Sequence, residues 1–316
     1  MEARSSAEAV EAAVKELLPE LGTTGEATPV PKGHGHECWR VAMASATVMV
    51  KLALRGATAV SMANLAEALR LAHLGGVPAP RLLWSGVAPV ALGARHMLVQ
   101  EFLDGIDGEE ALGLLGPDAR RRYFRDWGEA VGRLHRVQPA CFSNSISEAG
   151  RCRATWVEVA WERLERMLAL NREAGVLPPH ALEQAGARIA DAAQRVSPLV
   201  RPALVHADLY PPNTLLRAGR LVALLDFEHA KAWDPVHDFV KLRMWTFERH
   251  DGSEEPFLDG YRTTAGAADL FDARLQVGLG LELLAGFPYW KKHGKDAMLT
   301  DYLARFERWL GAAPVG

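Results

Sequence analysis

The stretch Leu204-Val205-His206-Ala207-Asp208-Leu209-Tyr210-Pro211-Pro212-Asn213-Thr214-Leu215-Leu216, with Leu221-Val222-Ala223-Leu224-Leu225-Asp226-Phe227-Glu228 shortly after it, decides how this chain is read. Two aspartates and one asparagine stand among apolar, strand-forming residues and a proline-stiffened loop. A carboxylate in such surroundings is costly unless it holds a cation, accepts strong hydrogen bonds or does acid–base work. Asn213 and Asp226 offer two hard oxygen ligands, which suits Mg²⁺ shared with the phosphates of a substrate. Asp208, five residues before Asn213, is placed to orient an attacking hydroxyl and take its proton.

The surrounding chain changes character along its length. Val10, Val14, Leu17, Leu18 and Leu21 recur at helical spacing within residues 2–21 and predict an amphipathic helix. Residues 22–35 are rich in Gly, Thr and Pro and read as a loop. Glu37 to Leu54 reads as a hairpin turning at Ala44-Ser45-Ala46, and Asn64 to Leu74 as a helix ended by Gly75-Gly76. Arg81 to Ser85 and His96 to Phe102 follow as strands. Beyond Asp104-Gly105, helical periodicity dominates residues 118–137, 154–174, 181–195, 238–249 and 269–286, with short strands near 204, 215 and 222–226. The expectation is an α+β chain of two lobes, residues 1–103 and 104–316, β-rich first and mostly helical second.

Composition sets the outer bounds. The chain has 316 residues, 49% hydrophobic and 24% charged, long enough to bury a sizeable core. Its 36 Lys and Arg against 39 Asp and Glu leave a formal charge of −3, which argues against neutralising nucleic acid or anionic lipid as a main task. No apolar run reaches the length that spans a bilayer, and residues 1–21 carry acidic groups where a signal core would be apolar. Cys38, Cys141 and Cys152 form neither a disulfide framework nor a zinc pattern and read as reduced thiols. The chain therefore reads as a soluble cytoplasmic protein without membrane or nucleic-acid partners, a monomer or homodimer.

His206-x-Asp208-x4-Asn213, followed by Asp226-Phe227, resembles the catalytic loop and metal-binding Asp of the protein-kinase-like superfamily. Asp226-Phe227-Glu228 in place of Asp-Phe-Gly, with Asp234-Pro235 and Asp238 close behind, resembles the aminoglycoside phosphotransferase family in particular. The resemblance runs from about residue 30 to 245 and implies a bilobal kinase-like fold. It implies that Lys51, alone in the apolar strand Val48 to Leu52, touches nucleotide phosphates while Glu67 on the next helix holds it. It implies that Gly33 and Gly35, in Lys32-Gly33-His34-Gly35-His36, cover the phosphates through backbone N–H groups. Gln100, Glu101 and Leu103 would read the purine edge through main chain, which leaves ATP and GTP both open as donor. His34 and His36 read as solvent-exposed loop residues, and His135, in Gly132-Arg133-Leu134-His135, as structural.

Ala207, Tyr210 and Pro212 depart from the family pattern and bear on the acceptor more than on catalysis. The expected function is transfer of a γ-phosphoryl group to a hydroxyl of an antibiotic, conferring resistance. Aminoglycosides, nucleosides of the capuramycin type and macrolides are the classes in view. Residues 251–316 hold ten acidic against seven basic residues, a thin excess for a polycationic acceptor. Trp156, Trp161, Trp233, Trp245, Trp290 and Trp309 read singly as core and together leave room for a flatter, less charged molecule. The alternatives are a metabolic kinase of the same fold, acting on choline, homoserine, fructosamine or a sugar, and a nucleotide-binding module without turnover.

Overall fold

The computed structural model describes residues 5–31, 36–54, 59–147, 151–266 and 268–313. Helix α1 (Ala7–Leu17) is capped by Ser6, whose side chain accepts the Ala9 N–H. Strands β1 (Thr24–Val30), β2 (His36–Met43) and β3 (Thr47–Ala53) follow, then α2 (Ala59–Leu74), β4 (Leu82–Val87) and β5 (His96–Glu101). These five strands form one antiparallel sheet in the order β1-β2-β3-β5-β4. The stretch expected to be a loop thus contains β1. That strand lies at the sheet edge, where Pro29 removes no interior ladder bond.

Alternation along β3 decides what each face carries. Val48, Val50 and Leu52 are fully buried in a core shared with Val10 and Val14 of α1. Met49 and Lys51 therefore turn to the other face of the sheet, and there Lys51 meets Asp226. Helix α2 packs through Met62, Leu65, Leu69 and Ala72 into the larger core that continues through the C-terminal helices.

Beside α1, Glu37 accepts bonds from Arg95 Nη1 (2.8 Å), Trp39 Nε1 (2.9 Å) and the Ser5 N–H (2.7 Å). Burial opposes the Glu37 charge, but these donors outweigh it and hold its carboxyl below the ordinary range. The folded pKa lies below the unfolded value of about 4.3, so the stabilisation is complete above that pH and fades as pH falls through the folded value. Glu37→Gln, which strands the largely buried Arg95 charge, should cost about 3 kcal/mol at pH 7. That penalty should shrink below about pH 4. Denaturant unfolding of both proteins at the two pH values measures it, and an equal penalty at both would refute the assignment.

The remainder comprises β6 (Ile106–Asp107), α3 (Gly108–Leu114), α4 (Pro117–His135), α5 (Trp156–Ala174) and α6 (Pro179–Val196). It continues with β7 (Ala203–Val205), β8 (Thr214–Arg217), β9 (Arg220–Leu224), β10 (Lys231–Trp233), α7 (Asp238–Leu242), α8 (Glu254–Thr264), α9 (Phe271–Lys292) and α10 (Asp296–Gly311). The fold is α+β, a sheet-rich N-terminal part followed by a mostly helical one. The helix expected over 238–249 is divided: α7 gives way to a π-turn at Arg243–Phe247, a local widening that is frequent near functional sites. No described helix is long and apolar enough to cross a membrane.

Two of the three cysteines are not free thiols. Cys141 and Cys152 form a disulfide, and Cys38 remains free. The bridge between Phe142 and Arg153, which exchange both backbone hydrogen bonds, sets the neighbouring cysteines 5.6 Å apart at Cα, within disulfide reach. Sequence spacing alone does not show that pairing. Of the tryptophans, Trp156, Trp233 and Trp309 are core residues, whereas Trp161 is exposed.

Candidate active site

Strands β8 and β9 pair with Thr214 opposite Leu224, and the Leu225 N–H donates to Asn213 O at 2.8 Å. This ladder brings Asn213 next to Asp226, thirteen residues on in the chain. Asp226 has a φ of +64°, a left-handed conformation that Asp tolerates better than most residues. Its Oδ1 accepts from Lys51 Nζ at 3.3 Å. The two strands and the lysine strand thus converge on one point.

The Asn213 amide nitrogen donates to Asp208 Oδ2 (2.9 Å) and Asp208 O (2.8 Å). Its amide oxygen has no hydrogen bond among the described residues. That oxygen and the Asp226 carboxylate are hard donors and fit a Mg²⁺ ion that takes its remaining ligands from phosphates and water. Among the described residues, no group of three or more His, Cys, Asp or Glu side chains could hold a metal. The donor set suits an ion bound together with nucleotide.

Asp208 is gripped from its other side by a residue that the sequence did not single out. Lys241 Nζ, on α7, donates to Asp208 Oδ1 at 2.6 Å and lies 3.9 Å from Glu282 Oε1 of α9. Burial pushes the Asp208 carboxyl upward, but Lys241, with smaller help from His229 and His206, outweighs it and keeps the pKa below the ordinary range. Asp208 is therefore a firmly ionised, oriented acceptor and not a strong base. Tyr210 is also near: burial and the Asp208 charge raise its phenol.

The loop is held by Asp238. Its carboxylate accepts the N–H groups of His206 (2.9 Å) and Ala207 (2.6 Å) and bonds His135 Nε2 at 3.0 Å. Ala207 sits at φ +63°, a conformation that glycine adopts freely and that costs alanine about 1–2 kcal/mol. Two hydrogen bonds to one buried carboxylate hold it there. His135 is fixed on its other nitrogen by the Tyr261 hydroxyl at 2.9 Å, and so braces Asp238. His206 Nε2 lies 2.7 Å from Leu225 O and its ring sits 4.6 Å from that of Phe227, tying the Asp208 loop to the Asp226 segment.

Several nucleotide-side expectations change. The Lys51–Glu67 pair is not formed: Glu67 bonds Arg70 at 2.6 and 2.8 Å, three residues along the same helix face. The α2 side chain that reaches the site is Asn64, whose amide nitrogen donates to Glu228 O (2.8 Å) and Ala230 O (2.9 Å). Its oxygen accepts the Ile146 N–H at 2.7 Å and the Ser145 hydroxyl at 2.8 Å. An Asn inside an apolar helical run is a weak helix former, and that was the available signal. Gly33 and Gly35 lie outside the described residues. His36 is not a solvent-exposed loop residue: its side chain is 7% exposed and lies 3.7 Å from Glu228 Oε2. Burial, with the Lys51 charge, lowers His36 to about 4, and burial, with the Asp226 charge, raises Glu228 to about 7.

Gln100 is buried in β5, and the Glu101 N–H is taken by Arg81 O at 2.9 Å. The Leu103 N–H has no hydrogen bond among the described residues.

The chain is similar to known proteins in sequence and in fold. The chain is 27% identical over 224 residues to homoserine kinase of Beijerinckia indica subsp. indica. That match covers 70% of this chain and 57% of the relative, so it spans little more than half of that protein. Aminoglycoside phosphotransferase APH(4)-Ia superposes with a TM-score of 0.71 at 15% identity, over 98% of this chain and 100% of its own. A thermostable mutant of it, in ternary complex with ADP and hygromycin B, gives 0.70 at 14% identity, over 96% and 99%. A candidate fructosamine-3-kinase of Thermobifida fusca YX-ER1 gives 0.69 at 21% identity, over 96% and 100%. These likenesses show the fold. Residues 26–271 match the model of the phosphotransferase enzyme family APH, and the chain belongs to that family.

Proposed function

We propose that the chain is a Mg²⁺-dependent kinase that moves the γ-phosphoryl group of ATP or GTP to a hydroxyl of a small molecule. The observation that carries this reading is the convergence of Lys51, Asp208, Asn213 and Asp226 through side-chain hydrogen bonds and one strand ladder. Residues 1–103 would carry the nucleotide and residues 104–316 the catalytic loop and acceptor. Leu103 N–H would meet the base, and Lys51, freed from Asp226, would steady the α- and β-phosphates. Asn213 and Asp226 would hold Mg²⁺, which when bound neutralises charge on the phosphate oxygens. The acceptor oxygen bonds to the γ-phosphorus as the bond to the β–γ bridging oxygen breaks, and the hydroxyl proton passes to Asp208. A loose transition state needs little base strength, which agrees with the depressed Asp208 pKa. Positioning and charge neutralisation do most of the work.

An antibiotic hydroxyl remains the acceptor suggested by family resemblance, and a metabolic hydroxyl is the second reading. Favouring the second is the charge around Asp208, where Lys241 lies at 2.6 Å: a polycationic acceptor would meet a cation beside the catalytic carboxylate. The test is acceptor-dependent release of ADP or GDP, screened with ATP and GTP against antibiotics and against hydroxylated metabolites. Release with one class identifies the acceptor. Nucleotide binding with no release from any acceptor would favour the non-catalytic module.

A further inference from the structure

Behind Lys241 the helical part holds cationic side chains that phosphoryl transfer does not use. Lys231 and Trp233 alternate on one side of β10, and the Lys231 ammonium lies 5.4 Å from the Trp233 ring centre. Trp233 meets Trp156 of α5 edge to face at 6.1 Å. Arg163, two turns after Trp156, projects from the same side of α5. Lys231 pairs with Val205 across the β10–β7 ladder, three residues before Asp208 in the chain. Glu282 of α9 closes the group, 3.9 Å from Lys241.

Two of these cations lack a direct partner. Neither Arg163 nor Lys231 forms a hydrogen bond or ion pair with another side chain among the described residues, although Lys231 is 7% exposed. Arg163 Nε, Trp156 Nε1 and Trp233 Nε1 are buried N–H donors with no acceptor, and such groups are rare in folded proteins because each forfeits its solvation. Lys241 is already committed to Asp208, and Asp238, which with Glu282 bears on Lys231, is taken up by the His206 and Ala207 N–H groups and His135. Burial and the Arg163 charge push the Lys231 ammonium well below its usual range, against the opposing pull of Glu282 and Asp238.

We propose that Arg163 and Lys231 form the acceptor-recognition site and bind a carboxylate, so that the phosphorylated molecule is a hydroxy acid whose hydroxyl is presented to Asp208. A guanidinium pairs with a carboxylate through parallel N–H donors, and orphaned indole donors supply further hydrogen bonds at its edge. The assignment rests on the kinase reading for the identity of the acceptor, whereas the carboxylate site itself does not.

Calorimetric titration of the full chain tests this with matched probes: glycerate against glycerol, 4-hydroxybutyrate against 1,4-butanediol, and kanamycin as a polycation. At least one carboxylate should bind at least about tenfold more tightly than its neutral partner, as a charge-assisted contact requires. Arg163→Gln and Lys231→Met should each remove that preference while leaving AMP-PNP affinity and the melting curve unchanged. Two variants guard against misfolding of either. No preference for carboxylate over diol, tighter binding of kanamycin than of every carboxylate, or an unchanged preference in both variants would overturn the site. ADP release measured in parallel separates the two readings: selective carboxylate binding without any turnover would count against the kinase and leave the anion site standing.

Discussion

Asp208→Asn should abolish phosphoryl transfer, lowering kcat by about 10³-fold, while AMP-PNP binds within about threefold of wild type. Asn keeps the size of the side chain and can still accept from Asn213, whose amide donates to Asp208 at 2.9 Å. What it loses is the negative charge that orients a hydroxyl and receives its proton. Lys241, now 2.6 Å from the carboxylate, keeps Glu282 nearby at 3.9 Å, so the loss should be catalytic more than structural. Steady-state turnover and nucleotide titration measure the two separately. Turnover above about a tenth of wild type would remove Asp208 from the chemistry. A fall in nucleotide affinity matching the fall in kcat would instead assign it to binding.

Asp238→Ala should be the most destabilising single change in the loop, costing about 4 kcal/mol. The carboxylate accepts two backbone N–H groups, from His206 and Ala207, and bonds His135. Without it both N–H groups lose their acceptor, at about 1–3 kcal/mol each. Ala207 also loses the clamp on its positive φ. A loss of that size corresponds to a fall in melting temperature of about 6 °C for a chain of this length, and kcat should fall because Asp208 follows Ala207 directly. Asp238→Asn, which retains one acceptor oxygen, should fall between the two. A thermal unfolding shift under about 2 °C for the alanine variant would mean that the loop is held some other way.

The Asp208–Asn213 loop and the hairpin could be read in sequence because each rests on local spacing. Asp208 and Asn213 lie in one loop, and β2 and β3 are joined by a turn of a few residues. Edge strand β1 was hidden because its Gly, Thr and Pro residues carry little hydrophobic pattern, and it is held by pairing with β2. Asn64, Lys241, Glu282, Arg163 and Lys231 were hidden for another reason. Asn64, Lys241 and Glu282 find their partners on other elements, and the surroundings of Arg163 and Lys231 are likewise set by how separate elements pack. The Cys141–Cys152 bridge has the same origin, since only the pairing of Phe142 with Arg153 brings the two together. Glu67 shows the converse error. The right residue type at the right spacing from Lys51 found a nearer partner in Arg70, on its own helix.

Local order along the chain was therefore enough to read the fold class and the family and to nominate candidate site residues, because periodicity, turns and short motifs act over a few residues. The charge environment of those residues came from long-range packing. Whether Lys51 meets Glu67 or Asp226, and whether Asp208 faces solvent or Lys241, depends on how separate elements dock. The total charge of −3 says nothing about such a neighbourhood. Coulomb interactions between buried groups depend on separation and desolvation, and both are set only when the helices pack.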